Sequence, residues 1–522
     1  MKHFNVAGPC NEQDHYKINS ATRLQGVDRL IDHEQYFVIH AARQTGKTTY
    51  LKDLARQLNA EGKYYAFYIS LETASVIKEP ETGIPAIVRK IKDDITYTDL
   101  PHSSEFAKDA DYEDFTGVFQ ESLRQYSMLL DKPLVVLFDE VDSLSEGVLN
   151  SFLRQLRSGY NERSMIPFVH SVALVGMRNI RDYKARPNDK SFSSASPFNI
   201  VTKVFTLNNF TKDEIAQLYH QHTVETGQTF DDAAVELVFE QTQGQPWLVN
   251  AIAYEMTKRI LKSDYKKPVT SELVSQAIQN ILIDCPTHID YLMEHIKEEH
   301  IRSIIEPMII GDQIFKTDSD VFLYVCELGL ISHVNWEIKP ANQIYSDAIV
   351  RLLTYNTQQN LPSYYDYEYY DSDHVSDYFK DGCVDINLIM SDFQKFWREN
   401  GDTYSTACCG YTDAAPHLIL LAFLRHAMKG RGQVLHKLLE GSGKLELLLV
   451  YNDKKYPIEI KIRYNQKKIR EGFEQTVLCM ENDNYKEGWL VVFDQRIRVK
   501  WDKKFYIKKK IRNGKKITIV GT

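Results

Sequence analysis

The sequence lacks three features that mark membrane, secreted or zinc-binding proteins. No apolar run approaches the roughly 20 residues that span a bilayer, and the longest are short stretches such as residues 134–138. The first ten residues contain no apolar core of a secretory signal. The seven cysteines are an odd number without a C-x-x-C spacing, so neither a disulfide framework nor a zinc site is indicated. We therefore expect a cytoplasmic protein with reduced thiols and no membrane partner.

The charge is distributed unevenly along the chain. The whole sequence has a net charge of -8, whereas residues 441–522 contain 20 lysines and arginines against 10 acidic residues. This segment is therefore at +10, which leaves -18 for the residues before it. A basic C-terminal piece on an acidic body is typical of a domain that faces nucleic acid. A solvated basic surface explains the charge alone equally well.

The 522 residues exceed what a single hydrophobic core usually holds, and their patterning divides them. Up to residue 208, short apolar strands alternate with amphipathic helices, which predicts a parallel α/β core. From 209 to 300 the period becomes helical, and two predicted helices end at Gly227 and Gly244, which predicts a helical lid domain. The predicted strands of the core are 36–41, 66–71, 134–139, 171–177 and 203–207.

The rest of the chain predicts three further segments. Residues 301–356 suit helices followed by a short β-ribbon, which is typical of a winged-helix module. Residues 357–385 are rich in Tyr and Asp with few aliphatics, which predicts an acidic linker. Residues 386–522 predict a separate α/β domain in which helices precede strands.

A phosphate-binding motif lies where the first predicted strand meets the next helix. Residues 41–48 match G-x-x-x-x-G-K-[ST], with Ala41 in place of the first glycine. In such a loop the backbone N–H groups bind phosphates, the lysine reaches the β- and γ-phosphates, and the last hydroxyl ligates Mg²⁺. A bare G-K-T is frequent by chance, but its position between a strand and a helix makes the prediction of an ATP site much stronger. The predicted nucleotide-binding residues are Arg43, Gln44, Thr45, Gly46, Lys47, Thr48 and Thr49.

The apolar strand at 134–139 completes this prediction because it ends in Asp139-Glu140. Asp139 would bind Mg²⁺ together with Thr48, and Glu140 would orient or deprotonate the attacking water. Asp142 is interpreted as a helix N-terminal residue instead of a catalytic one.

Several arginines are candidates for contact with the γ-phosphate. Arg178 follows the strand at 171–177, where a polar group could sense that phosphate, although a surface salt bridge explains it nearly as well. The candidate arginine fingers toward a neighbouring subunit are Arg154, Arg157 and Arg163, each of which has solvation as its default explanation.

These motifs together resemble bacterial AAA-like ATPases of the signal-transducing (STAND) type, many of which are fused to a nuclease domain. The resemblance covers most of residues 10–350 and implies ATP and Mg²⁺ as cofactors and a possible homo-oligomer. Gly244 and Pro246 resemble the glycine-x-proline signature of the lid, which approaches the nucleotide in such ATPases. A helix stop followed by a helix start explains the same two residues. The matching stretches include RQTGKTT (43–49), LFDEVDSL (137–144), GMRNIRDY (176–183) and GQPWLVN (244–250).

A second constellation lies in the basic C-terminal segment. Residues 443–464 predict a β-hairpin with its turn at Asn452-Asp453. Glu446 would lie on the first strand, and Glu459 and Lys461 on one face of the second. Two carboxylates and a lysine on one face suit Mg²⁺-dependent phosphodiester cleavage, while a cross-strand Glu–Lys pair is the ordinary alternative.

This pattern resembles the PD-(D/E)XK nuclease superfamily. The resemblance implies a restriction-endonuclease-like fold, catalytic roles for Glu446, Glu459 and Lys461, and metal binding by the two glutamates and by Asp413 before a helix at 414–428. Glu446 stands where the superfamily usually has Asp. Cys479 stands where a related element has Tyr.

We therefore predict an ATP-regulated, Mg²⁺-dependent nuclease whose C-terminal domain binds nucleic acid, with DNA as the expected form. A role in anti-phage defence and a protein or phage-derived trigger are hypotheses that rest on analogy. The alternative is a nucleotide-dependent switch or remodelling ATPase whose C-terminal domain binds DNA or a partner without cleavage.

Overall fold

The computed structural model describes most of the chain as two compact units. The first comprises Met1–Ile281 with Glu327–Gly329, and the second comprises Leu282–Cys326 with Leu330–Thr522. The described residues are 1–177, 200–284, 287–296, 298–310, 319–334, 337–349, 378–380, 382–407, 415–428, 433–436, 447–452, 454–463, 466–494, 496, 499–500 and 503–522.

A five-stranded parallel sheet forms the centre of the first unit. Its order is β2-β3-β4-β1-β5, and every neighbouring pair is parallel. β3 and β4 are buried along their whole length, which explains their continuous apolar sequences. All five predicted strands are confirmed to within two residues at their ends. The strands are β1 (Tyr36–His40), β2 (Tyr65–Ser70), β3 (Leu134–Asp139), β4 (Ser171–Gly176) and β5 (Val201–Thr206).

Helices cover both faces of this sheet, as the alternation along β3 requires. Val135 and Leu137 pack with residues of α1 and α2 on one face. Val136 and Phe138 pack with α3, α4 and α5 on the other. These helices are α1 (Val27–Asp32), α2 (Lys47–Glu61), α3 (Pro80–Thr96), α4 (Val118–Leu129) and α5 (Glu146–Glu162).

The predicted helical segment after the sheet is present. α6 begins with a capping box between Thr211 and Glu214 and ends before Gly227, whose φ of 79° is left-handed. α7 ends at Thr242, so the second predicted glycine stop, Gly244, lies two residues beyond the helix. The helices are α6 (Lys212–Thr226), α7 (Asp232–Thr242), α8 (Pro246–Tyr254), which continues into a π-helical turn at Glu255–Ile260, and α9 (Ser271–Asp284).

The stretch that follows contains helices and then a two-stranded antiparallel ribbon. The ribbon agrees with the sequence pattern, while the winged-helix assignment stays a prediction. The elements are α10 (Thr287–Ile296), α11 (Glu299–Ile310), α12 (Ser319–Glu327), β6 (Ile331–Val334) and β7 (Glu337–Pro340).

The C-terminal part of the second unit is built on a six-stranded mixed sheet of order β10-β11-β12-β13-β15-β14. β12, β13 and β15 run parallel, and the remaining pairs are antiparallel. A two-residue strand pair, β8 with β9, lies inside the segment that the sequence assigned to a linker. The elements are β8 (Phe379–Lys380), β9 (Cys383–Val384), α13 (Ile386–Ala407), α14 (Ala415–Met428), β10 (Gln433–His436), β11 (Leu447–Tyr451), β12 (Lys454–Arg463), α15 (Gln466–Asn482), β13 (Glu487–Asp494), β14 (Tyr506–Arg512) and β15 (Lys515–Gly521).

The two faces of this second sheet carry different helices. α13 and α14 pack on one face, where Phe393 and Ile460 belong to the same core. α15 packs on the other, with Met480 against Leu490. The predicted hairpin is confirmed as β11–β12, and Asn452 in its turn has a φ of 47°. Among the described helices, none is both long and apolar enough to cross a bilayer.

Candidate functional site

The phosphate-binding motif forms the loop between β1 and α2, so the helix N-terminus points its free N–H groups into the loop. Gly46 has a φ of 92° directly before the helix, a conformation that strains any residue with a side chain. Ala41 does not have a positive φ, so this position needs no glycine backbone. The replacement of the first glycine therefore leaves the loop intact.

Lys47 lies folded against this loop. Its Nζ donates to the carbonyl oxygens of Ala41 at 2.8 Å and Ala42 at 2.9 Å. Burial lowers the pKa of Lys47 to about 8, although the charges of Asp139 and neighbouring carboxylates oppose this shift. The ammonium group is thus already removed from water before any ligand binds. Its two partners are neutral carbonyl oxygens, and an anionic ligand would bind the ammonium more strongly than they do.

The two predicted magnesium ligands meet as the sequence predicts. The Thr48 hydroxyl donates to Oδ2 of Asp139 at 2.7 Å, and Asp139 is only 1% exposed. Burial raises the pKa of Asp139, and the Thr48 hydrogen bond partly offsets it. Tyr68 on β2 donates its hydroxyl to the same oxygen at 3.2 Å. A carboxylate beside a hydroxyl, at a loop predicted to bind phosphates, is a donor set that suits Mg²⁺.

Glu140 follows Asp139 in the sequence, and the backbone conformation at this residue orients its side chain. Its φ of 57° is left-handed, so the chain turns sharply where β3 ends. The Ser70 hydroxyl, at the end of neighbouring β2, donates to Oε2 of Glu140 at 2.6 Å. Burial raises the pKa of Glu140, and this hydrogen bond acts against the rise.

Tyr68 and Ser70 are functional candidates that the sequence reasoning missed. They lie on one face of β2, and each hydroxyl binds one of the two acids. The available signal was that polar residues stand at the carboxyl end of an otherwise apolar strand. The strand order, which places β2 beside β3, was not known from the sequence.

Asp142 stands in the first turn of a short helix, in agreement with the sequence interpretation, and it also makes a contact outside that helix. It lies in a short 3₁₀ turn, Val141–Ser143, and its Oδ2 accepts the backbone N–H of Met177 at 2.9 Å. It therefore ties the loop after β3 to the end of β4. Arg178, the predicted γ-phosphate sensor, lies outside the described residues.

The Gly-Gln-Pro segment contacts the loop through a residue that the prediction did not include. Gly244 has a φ of 70°, and an added Cβ would lie 1.8 Å from the carbonyl oxygen of Phe210. Pro246 begins α8 and lines the cavity beside the loop. Gln245 accepts from the Leu248 N–H at 2.6 Å. Its amide donates to the carbonyl of Gln44 at 3.4 Å, which links the predicted lid to the phosphate loop.

The remaining predicted loop residues have structural partners as well. Thr45 donates its hydroxyl to the Ala42 carbonyl at 2.8 Å, and the Thr49 hydroxyl accepts the N–H of Cys10 at 3.0 Å. Arg43 is exposed and lines the cavity. Of the candidate arginine fingers, Arg163 packs 3.9 Å from the Tyr160 ring centroid, and neither it nor Arg154 nor Arg157 lines the cavity.

A cavity of about 470 Å³ extends from the phosphate loop to the N-terminal segment. Asn5 shapes this segment, since its side chain accepts from the Ala7 N–H at 3.1 Å and donates to the Gly8 carbonyl at 2.9 Å. Trp247 of α8 donates to the Val6 carbonyl at 2.9 Å. The sequence reasoning did not assign residues 5–10 to the site, because they carry no motif.

The C-terminal constellation is described only in part. Glu459 is 1% exposed, and its carboxylate lies 2.8 Å from Nζ of Lys461 on the same face of β12. Gly472 of α15 packs on the Lys461 stem, where an added Cβ would lie 2.6 Å from Cγ. Cys479 is buried against Leu448.

The other proposed metal ligands of this domain, Glu446 and Asp413, lie outside the described residues. Within the described residues no cluster of three or more His, Cys, Asp or Glu side chains is arranged to hold a metal ion. The Glu459–Lys461 pair is therefore the part of the constellation that the structure brings together.

Comparisons with known proteins match most of the first unit and the beginning of the second. A family model described as an AAA-like domain matches residues 15–349. Among solved structures, the chain is similar to a Walker-type ATPase of Pyrococcus abyssi at 10% identity and a TM-score of 0.45, over 66% of this chain and 99% of that one. No curated protein matches the chain.

Two further solved structures are similar at comparable levels. The RuvB Holliday junction branch migration motor of Thermotoga maritima has 12% identity and a TM-score of 0.33, over 63% of this chain and 91% of that one. The ORC1 protein of Aeropyrum pernix in complex with DNA has 13% identity and a TM-score of 0.35, over 64% and 91%. Likenesses at this level support no argument about function.

Proposed function

Because the chain belongs to the AAA-like domain family, we propose that it binds ATP with Mg²⁺ and hydrolyses it at the loop between β1 and α2. One observation supports this most: Lys47, Thr48, Asp139 and Glu140 line a single cavity. The two pairs lie about 90 residues apart in the sequence, and a lysine, a hydroxyl and two carboxylates are the groups that bind phosphates and Mg²⁺ in such ATPases.

Each residue has a distinct part in this proposal. The N–H groups at the start of α2 and the Lys47 ammonium would bind the phosphates. Thr48 and Asp139 would hold Mg²⁺, which supplies charge neutralisation on the phosphate oxygens. Glu140 would orient the attacking water and accept its proton, while Ser70 fixes the position of its carboxylate.

The remainder of the cavity would take the nucleoside. It is lined by the Asn5–Cys10 segment and by Pro246 and Trp247 of α8. Apolar walls with a few backbone polar groups are typical of base-binding pockets. Because Trp247 also binds the Val6 carbonyl, an occupied pocket would hold α8 and the N-terminal segment together.

ATP binding and hydrolysis by purified full-length protein test this proposal. We expect Glu140→Gln to bind ATP and hydrolyse it at least 100-fold more slowly, because the amide cannot accept the proton. Glu146→Gln, an exposed change at the start of α5, serves as the matched control. Undiminished hydrolysis in Glu140→Gln would contradict the proposed role.

A second candidate function concerns the C-terminal part, for which we propose Mg²⁺-dependent cleavage of nucleic acid, with DNA as the expected substrate. The supporting observation is the buried Glu459 carboxylate beside Lys461 on the sheet face that α15 partly covers. A carboxylate at 1% exposure needs cationic partners; Lys461 supplies one at 2.8 Å, and a metal ion would be a second. Glu446 and Asp413 stay proposed metal ligands.

Plasmid digestion with Mg²⁺, with and without ATP, tests this second function. We expect Glu459→Gln to abolish cleavage and to leave ATP hydrolysis unchanged, because the two sites use different residues. Glu471→Gln, an exposed change on α15, is the control for a lost carboxylate in the same domain. Intact plasmid with wild-type protein under all conditions would exclude the nuclease and favour a switch or remodelling ATPase.

The two functions together would make the nucleotide site a regulator of the nuclease, with anti-phage defence as a hypothesis. Lys47→Ala addresses the regulation, since it should abolish ATP binding. Cleavage by this variant at the wild-type rate would separate the nuclease from ATP control. The division into a core (1–208), a lid (209–300), a winged-helix module (301–356), a linker (357–385) and a nuclease domain (386–522) is proposed on the same basis.

A further inference from the structure

β14 is the edge strand of the six-stranded sheet and is exposed along most of its length. It contains three consecutive lysines, Lys508, Lys509 and Lys510. Among the described residues, none of the three forms an ion pair with a carboxylate. By contrast, Arg512 pairs with Glu474.

Aromatic rings lie below two of these lysines. Nζ of Lys508 is 4.9 Å from the ring centroid of Tyr506, and Nζ of Lys510 is 5.3 Å from that of Phe473. Such contacts hold the lysine stems while the ammonium groups keep access to solvent. The result is a row of fixed positive charges that are not neutralised by described acids.

The register of the sheet places two of these lysines on the face that bears Glu459. Glu459 pairs with Leu490 of β13, Leu490 with Ile519 of β15, and Ile519 with Lys508. Residues paired in this way point to the same side of a sheet, and alternate residues such as Lys510 share that side. Three strand spacings of roughly 4.8 Å put β14 about 14 Å from Glu459. α15 lies over the middle of the face, between the two positions.

We propose that Lys508 and Lys510 form a docking surface for the phosphate backbone of a nucleic acid. This inference rests on the nuclease function proposed above and supplies its binding surface. Unneutralised ammonium groups on the face of the candidate cleavage residues attract phosphates without reading sequence. Binding should therefore be salt-dependent and indifferent to base sequence.

Fluorescence anisotropy with a short labelled DNA duplex tests the surface, using full-length protein in EDTA so that no cleavage occurs. The variant is Lys508→Gln/Lys510→Gln. The matched control is Lys395→Gln/Lys486→Gln, which removes one exposed positive charge from α13 and one from the residue before β13. We expect the first variant to lose about tenfold in affinity and to flatten the slope of log K against log salt by about 1.8. The control should stay within about twofold of wild type by the same principle.

In the binding experiment, each of the following results would overturn the docking surface. The first is equal affinity of both variants, and the second is wild-type protein that does not bind DNA. The third is binding to phosphatidylserine-containing vesicles, but not to DNA, that the Lys508→Gln/Lys510→Gln change abolishes. If the Lys508→Gln/Lys510→Gln variant self-associates while its DNA affinity is unchanged, the two lysines serve to prevent β14 from pairing with the edge strand of another molecule.

Two readouts keep this test separate from the proposed functions. If the wild-type protein and the Lys508→Gln/Lys510→Gln variant cleave plasmid equally well, the docking surface is overturned and the nuclease function stands. If the wild-type protein does not cleave plasmid, the result contradicts the nuclease function instead. Lysine acetylation footprinting of the wild-type protein needs no substitution. DNA should protect Lys508 and Lys510 more than Lys395, and equal protection would overturn the proposal.

Discussion

The burial of Lys47 predicts that ATP affinity depends on pH in an unusual range. The pKa of about 8 means that the free protein loses the Lys47 proton as pH rises through 8, far below the ordinary value of a lysine. Bound phosphates favour the ammonium form, so binding requires a protonated Lys47. The affinity should therefore be nearly full at pH 7 and below, and it should weaken as pH rises through 8.

The magnitude follows from the fraction of protein that keeps the proton. At pH 7 about nine-tenths of the molecules carry the ammonium, and at pH 9 about one-tenth do, so the apparent affinity should fall about tenfold. Titration with a fluorescent ATP analogue measures this fall in a Glu140→Gln background, where hydrolysis does not interfere. Proton uptake should accompany binding at pH 9 and be nearly absent at pH 7.

Lys47→Arg is the control for this prediction, because a guanidinium keeps its charge throughout the range. Its affinity, whatever the absolute value, should vary little between pH 7 and pH 9. If the wild-type protein shows no more than a twofold change, burial does not set the charge of Lys47. If Lys47→Arg loses affinity in parallel with wild type, another group is responsible.

Two further substitutions test the geometry around the site. Ser70→Ala removes the hydrogen bond that opposes the raised pKa of Glu140, so the acid limb of the kcat profile should move to higher pH, and an unchanged limb would contradict this. Gly244→Ala combines a left-handed φ with a clash against the Phe210 carbonyl and should cost at least about 3 kcal/mol in the free energy of unfolding, measured by denaturant titration. Gly62→Ala is the control, because Gly62 has a similar φ of 72° but no described heavy atom lies within 4 Å of the added Cβ. It should cost only about 1–2 kcal/mol in the free energy of unfolding. Equal losses in the two variants would show that the structure relieves the clash with the Phe210 carbonyl.

The nucleotide site shows how far local pattern alone can go. The parallel core, its five strands and the meeting of Thr48 with Asp139 followed from the sequence. Apolar strands that run into a glycine-lysine-threonine turn or end in paired acids have few compact arrangements. Gly244 was also identified from local pattern, because a glycine after a helix marks a left-handed backbone conformation that other residues adopt only with strain.

The hydroxyls of Tyr68 and Ser70 could not be found in this way. Their role depends on β2 lying beside β3, and strand order is set by long-range packing instead of local pattern. The Asn5–Cys10 segment is a similar case, because it reaches the cavity through contacts with α8 that are more than 200 residues away in sequence.

In the C-terminal domain, too, some features followed from the sequence and others only from the tertiary structure. Alternation and a turn dipeptide were enough to determine the β11–β12 hairpin and to place Glu459 and Lys461 on one face, because side chains on a strand alternate with a period of two. The sequence also showed that the segment is basic. Only the tertiary structure decided which lysines share the face of Glu459, because that depends on the pairing of β13, β15 and β14. Local sequence determines the periodicity of the strands and the positions of turns. Which strands become neighbours depends on how the whole sheet buries its apolar side chains.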